Sequence, residues 1–183
     1  MEQVLKETLL RIARQAIRDE FAGRDTDLIA LQSYDLKKGV FVTLKKAGEL
    51  RGCIGYPLPV MKLSEALVLA ARSAAFKDPR FPPLKKEELP FIKIEISVLT
   101  VPEIIKVKNP LAYPEKIEIG IHGLLIEKGH NSGLLLPQVA VEQEASPQEF
   151  LMMLCQKAGL PANAWKSSDV KIYSFEAEII GED

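Results

Sequence analysis

Cysteine is scarce in this chain: Cys53 and Cys155 are the only two among 183 residues. So sparse a set makes no disulfide framework, and a reducing cytoplasmic setting is the expectation. Histidine is equally rare, with His122 and His130 standing alone in the sequence. Neither has the cysteine or histidine spacing that a zinc site needs, so no metal and no cofactor are expected. Charge of one sign is also missing: 24 basic residues face 25 acidic ones, a net charge of −1. That balance speaks against a broad electrostatic footprint for nucleic acid or for an anionic membrane. No apolar run approaches the ~20 residues that span a bilayer. The N-terminal stretch MEQVLKETLLRIARQAIRDEFA is charged throughout and lacks the apolar block of a signal peptide. Phosphate-binding glycine loops, a GxSxG elbow and a CxxC pair are absent too.

What is present suits an ordinary globular protein, 47% apolar and 27% charged, long enough to bury a core as one domain. Leu5, Leu9, Ile12, Ala16 and Ile17 fall at helical spacing and predict an amphipathic helix. GVFVTLKKAGELRGCIGY predicts two strands around a Lys-Ala-Gly turn. LSEALVLAARSAAF predicts a helix capped by Ser64 and stopped by DPRFPP. FIKIEISVL alternates strictly, with Ile92, Ile94, Ile96 and Val98 inward. Further strands are expected around 116–120, 122–127 and 133–141, the last two joined as a hairpin. SPQEFLMMLCQKAGL predicts a helix with Ser146 and Glu149 as a capping box, Pro147 first inside and Gly159 at its end. KIYSFEAEI predicts a closing strand that buries Tyr173, Phe175 and Ala177. Neighbouring strands read as antiparallel and helices come without regular alternation, which is an α+β pattern.

ELRGCIGYPLP, residues 49–59, is the sharpest site signal. Cys53 sits between Gly52 and Gly55, and strand parity would put Arg51 on its face, with Leu50, Gly52 and Ile54 on the other. A β-bulge at either glycine would break that parity. A thiol acts as nucleophile in its thiolate form, which a nearby cation favours, and Arg51 is placed to supply one. The glycines, lacking Cβ, would allow a substrate or backbone close to the sulfur. The competing reading is that free cysteine is a small buried hydrophobe. That reading fits Cys155, which shares a helical face with Leu151, Leu154 and Ala158. His122, in GIHGL, is a possible base for a distant cysteine, while His130 reads as a solvated turn residue. Asp78 and Glu142 are further acid–base candidates without a distinguishing motif.

LRGCIG at 50–55 resembles the hallmark hexapeptide of the AMMECR domain family, whose prokaryotic members are called AmmeMemoRadiSam system protein A. AFKDPRFPPL, EISVLTVPE, HGLLIEKG, LLLPQVAVE and FLMMLCQKAGLPANAW are similar to family blocks, in family order. The family pattern usually has a tryptophan near Ala145, which this chain lacks. The resemblance implies a single domain over 1–183, an α+β fold of two closely associated lobes, with the hexapeptide lining a cleft between them. The candidate catalytic residues remain those read from the residues themselves: Cys53 as nucleophile or thiol carrier, Arg51 tuning charge and His122 as possible base. Leu50, Gly52, Ile54, Gly55, Asp78, Arg80, Gln138 and Glu142 would bind a small molecule, peptide or partner. A Memo-type protein and a radical SAM enzyme are the implied partners; no established reaction comes with the family. Two functions follow as expectations: an enzyme or enzyme subunit with Cys53 as nucleophile, or a non-catalytic module in which RGCIG shapes a pocket.

Overall fold

In the computed structural model, which describes residues 1–32, 34 and 36–182, helices and antiparallel strands combine in an α+β architecture. The chain divides into two units, one formed by 1–99 with the C-terminal residues from 178, the other by 100–177.

In the first unit, β1 (Val40–Lys46) pairs antiparallel with β2 (Glu49–Tyr56) on one edge and with β3 (Ile92–Leu99) on the other. Val40, Val42 and Leu44 alternate with half-buried residues, and Ile92, Ile94 and Ile96 on β3 alternate with exposed Lys93 and half-buried Glu95, so one face of the sheet is apolar. Helices α1 (Gln3–Phe21) and α2 (Leu63–Phe76) supply the rest of that core through Leu9, Ile12, Ile17, Leu67 and Ala70. Full burial of each such Leu or Ile is worth ~1.5–3 kcal/mol. The helices meet edge-to-face at Phe21 and Phe76, with ring centroids 5.0 Å apart. Arg14 of α1 ties the unit together by donating to the carboxylate of Glu182 and to the carbonyls of Leu89 and Ile92.

Two features of the β1–β2 hairpin position everything around Cys53. Ala47 and Gly48 both take positive φ (52° and 87°), the backbone of a tight two-residue hairpin turn. The register then slips: Lys45 faces Leu50 but Leu44 faces Gly52, so Arg51 is the extra residue of a bulge. Beyond it, Gly52 is pressed against α2, where a Cβ would stand 2.1 Å from the Ala74 carbonyl oxygen.

The second unit is built on β7 (Lys171–Gly181, its residues from 178 belonging to the first unit), flanked by β4 (Glu103–Ile104) and β5 (His122–Lys128). β6 (Asn131–Leu135) pairs with the far edge of β5. After β6 come the short α3 (Pro137–Glu142) and α4 (Pro147–Lys157). Phe150, Leu151, Leu154 and Cys155 of α4 pack with Leu124, Ile126, Trp165 and Ile172. The expected capping box is present: Glu149 N–H donates to Ser146 Oγ, and Ser146 N–H donates to Glu149 Oε2 at 2.8 Å.

Four expectations are corrected. Ser64 is not the cap of α2; Lys62 holds the extended N-cap backbone and Ser64 turns inward within the first turn. Residues 116–120 form no strand, because Pro110 and Pro114 set a 3₁₀ turn over Pro110–Lys116 and the chain then folds back through Gly120 at φ 86°. Residues 133–141 are not one strand either; Pro137 has no N–H for a ladder and instead opens α3. On β7 the residues fully buried are Ile172, Phe175 and Ile180, with Tyr173 and Ala177 only half-buried. The phase changes because Ile172 joins the core of the second unit and Ile180 that of the first. Among the described residues no helix is long and apolar enough to cross a membrane.

Replacing Gly52 by alanine forces a methyl group onto a helix carbonyl that cannot swing aside. Gly52→Ala is expected to lower unfolding free energy by ~3 kcal/mol in urea denaturation. Gly181→Ala, whose Cβ meets nothing within 4 Å, should stay within ~0.5 kcal/mol of wild type. Equal stability of the two variants would contradict the close approach at Gly52.

Candidate functional site

The Cys53 region is assembled from β2, the turn that follows α2, and the 3₁₀ segment Lys86–Phe91. β2 is paired on one side only, so its outer backbone groups need partners from elsewhere. At Cys53 they find side chains. The Cys53 N–H donates to Asp78 Oδ2 at 2.8 Å, and Arg80 Nη2 donates to the Cys53 carbonyl at 3.3 Å. The two side chains thus occupy the position of a neighbouring strand. They are themselves paired: Arg80 Nε reaches Asp78 Oδ1 at 3.0 Å and Nη2 reaches Oδ2 at 2.7 Å, while the Arg80 N–H also donates to Oδ1. Proline at 79 stiffens this short loop.

Asp78 is 4% exposed, and only its hydrogen bonds make that burial tolerable. The Arg80 guanidinium, with smaller help from the Cys53 and Arg80 backbone donors, holds the carboxyl far below the usual carboxylate range against the opposing pull of burial. A second carboxylate, Glu88, receives Arg51 Nε and Nη2 (3.3 and 3.0 Å) and Lys46 Nζ (2.8 Å). The bonds from Arg51, then Lys46 and the Lys85 N–H, push Glu88 down to about 2. Both guanidiniums lie over the Phe81 ring, Arg51 at 5.9 Å and Arg80 at 5.5 Å from its centroid. In each, Nη1 makes no hydrogen bond among the described residues.

Cys53 itself is half-buried and stands opposite Thr43, whose hydroxyl donates to the sulfur at 3.3 Å. The bulge at Arg51 undoes the expected parity. Leu50 now pairs with outward-facing Lys45, and Gly52 with inward-facing Leu44, so the two no longer share a face. Arg51 is engaged by Glu88, and the guanidinium that touches the Cys53 peptide is that of Arg80. Gly55 lies under the Phe41 ring and Gly52 under α2, so both glycines are accounted for by packing and not by access to the sulfur. Ile54 is half-buried against the core of the first unit.

The remaining expected site residues belong to the second unit. His122 Nδ1 accepts the Glu118 N–H at 3.0 Å. It borders a small polar hollow of ≈290 Å³ with Thr100, Glu103 and Glu176. Gln138 sits in the first turn of α3 with Oε1 buried and unbonded among the described residues, and Glu142 ends that helix exposed to solvent. Cys155 is fully buried, and burial pushes its thiol up, as suits a core residue. Sequence reading missed Thr43, Phe81 and Glu88. Phe81 lies beside Arg80 in the DPRF stretch, but Thr43 comes opposite Cys53 only because of the bulge, and no motif marks Glu88. Among the described residues no group of three or more His, Cys, Asp or Glu side chains is placed to hold a metal.

Comparison with known proteins places this arrangement in a family. The family model described as AMMECR1 matches residues 10–180. A protein of Methanothermobacter thermautotrophicus is 49% identical over 179 residues, covering 96% of this chain and 93% of its own. A protein of Methanopyrus kandleri is 51% identical over 182 residues, covering 97% of this chain and 88% of its own. The crystal structure of an uncharacterised protein from Pyrococcus horikoshii superposes with a TM-score of 0.91 at 44% identity, covering 100% of this chain and 94% of that one.

Two outcomes are expected from the carboxylates. Asp78→Asn puts an amide donor against donors and should lower stability by ~2–3 kcal/mol in urea denaturation; a change under ~0.5 kcal/mol would remove Asp78 from its central place. Both carboxyls bind protons less readily folded than unfolded, so their stabilisation is complete above about pH 5 and declines as pH falls toward 2 and below. Glu88→Gln should therefore flatten the acid limb of a stability–pH curve. A curve parallel to wild type between about pH 5 and 2 would contradict the Glu88 assignment.

Proposed function

This chain belongs to the AMMECR1 family, and from that premise and the site geometry we propose that it is a recognition module whose Cys53 region receives an acidic group of a ligand or partner. The observation that carries this reading is the pair of guanidiniums over Phe81. Arg51 and Arg80 each have one edge held by a carboxylate and leave Nη1 unbonded among the described residues. Three cations, Arg51, Arg80 and Lys46, surround two carboxylates, Asp78 and Glu88, so the cluster keeps a surplus positive charge. Arg80 has its side chain 54% exposed, and its planar fork suits a carboxylate or phosphate. The half-buried thiol beside it would add a small, polarisable contact. A Memo-type protein and a radical SAM enzyme, implied by the family, are the partners we propose; an acidic loop on either is what this seat would hold.

A second reading has one observation of its own. The Thr43 hydroxyl donates to Cys53 Sγ at 3.3 Å, a contact that could orient a sulfur nucleophile. Against it, no base accompanies that contact: Thr43 is the hydrogen-bond partner of the sulfur among the described residues, and Arg51 is committed to Glu88.

The test is to mix the full chain with a Memo-type protein and a radical SAM enzyme from one organism and to follow complex formation and metabolite change together. Arg80→Met should weaken the complex about tenfold, the loss of one charge-assisted hydrogen bond, while Arg80→Lys retains part of it. Cys53→Ser should bind and support turnover like wild type, and Cys53→Phe should block binding. Turnover abolished in Cys53→Ser with binding intact would replace recognition by the nucleophile reading. Arg80→Met binding as tightly as wild type, with its fold verified by circular dichroism, would sink the acidic-group proposal.

A further inference from the structure

A second feature of the first unit has Lys46 alone in common with the Cys53 cluster. Where β1 ends and β3 begins, a groove of ≈600 Å³ opens with predominantly apolar walls. That volume falls in the range of small-molecule sites, roughly 300–1,000 Å³. Pro90, Phe91, Lys45, Lys93, Ala47 of the hairpin turn and Gly181 near the C-terminus are among the residues that line it. Phe91 is 68% exposed, a large aromatic ring left out of both hydrophobic cores. Pro90 lies inside the 3₁₀ segment, which ends at Phe91 immediately before β3 starts.

The charges in the groove are unevenly matched. In the β1–β3 register Lys45 stands directly opposite Lys93, and like charges so placed repel across a sheet. Lys45 is compensated by Glu95, with Nζ to Oε2 at 2.8 Å. The other acid of the wall, Glu182, is taken by Arg14. Lys93 forms no ion pair among the described residues. The groove therefore offers an apolar slot, an exposed aromatic wall and one uncompensated ammonium held beside a second lysine.

We infer that this groove binds a small organic acid, an apolar body lying on Phe91 with a single anionic group on Lys93. An anion there would complete the compensation that Glu95 begins for Lys45, which a neutral ligand could not do. A solvated lysine beside an empty slot is the alternative, and it makes opposite predictions.

The experiment titrates the full chain with 8-anilinonaphthalene-1-sulfonate, an aromatic monoanion, reading fluorescence and amide chemical shifts together. Shifts should concentrate at residues 45–48 and 90–95, decanoate should displace the dye, and decanol should not. Lys93→Met and Phe91→Ala, both at exposed positions, should keep the wild-type melting temperature and each weaken binding about tenfold. Raising the ionic strength should weaken binding to wild type but not to Lys93→Met. Unchanged affinity in both variants, shifts centred elsewhere, equal competition by decanol, or no binding at millimolar dye would each overturn the inference.

Discussion

The Asp78 carboxylate, buried against an edge strand, is the contact on which the site around Cys53 depends. β2 has a partner strand on one side only, and its far side would otherwise expose an unpaired N–H and C=O at Cys53. Asp78 takes the N–H and Arg80 meets the carbonyl, so two side chains finish what a strand would have finished. This requires the loop after α2 to arrive at one place. Gly52 permits it, because its missing Cβ lets the Ala74 carbonyl come down on β2 just before the helix ends. The glycine sets the height of α2, the helix end sets Asp78, and Asp78 sets the cysteine peptide. Each link is packing, and together they fix where the sulfur sits.

Charge follows the same economy. Burial alone would drive the proton back onto Asp78, and the hydrogen bonds from Arg80 outweigh that pull. Glu88 works in the opposite direction in space: it gathers Arg51 and Lys46, which the bulge and the hairpin have brought near it. Each carboxylate holds one edge of a guanidinium, and Phe81 receives both cations on its ring. An arginine fixed along one edge has lost most of its rotamer freedom before any ligand arrives, so a second anion meets a preorganised donor. Structural pairing and readiness to bind are therefore not competing explanations for Arg51 and Arg80.

Periodicity made much of the fold legible. Alternation revealed β1 and β3, helical spacing revealed α1, and the Ser146–Glu149 box revealed α4 together with the buried place of Cys155. What stayed hidden depended on contacts across the chain or on backbone torsions. Ser64 has a capping side chain, but the N-cap falls two residues earlier, at Lys62, and leaves it inside. Residues 116–120 read as extended, yet Pro110, Pro114 and the positive φ of Gly120 bend that region into turns. The bulge was the costliest omission for the site. Without it, counting back from the hairpin turn sets Cys53 against Val42; with it, Cys53 meets Thr43, and Leu50 leaves the face it would have shared with Gly52 and Ile54. The glycines flanking Cys53 stood out in the sequence, while what they pack against, a helix carbonyl and an aromatic ring, was visible only in the packing.

That reason changes how a cysteine between glycines is to be understood. Glycines kept for access would leave open space at their α-carbons, whereas Gly52 and Gly55 are closed over by Ala74 and Phe41. The space around the sulfur is set instead by its strand neighbours. Thr43 lies across from it with a hydroxyl, and the Arg80 guanidinium lies beyond its carbonyl, already bound to Asp78. A nucleophile needs a group to take or hold a proton, and a hydroxyl near neutral pH does neither well. Recognition needs only a surface whose charge and shape are fixed before the partner comes. The rigid peptide at Cys53, the two tethered guanidiniums and the aromatic ring that both lie over meet that requirement without any further group.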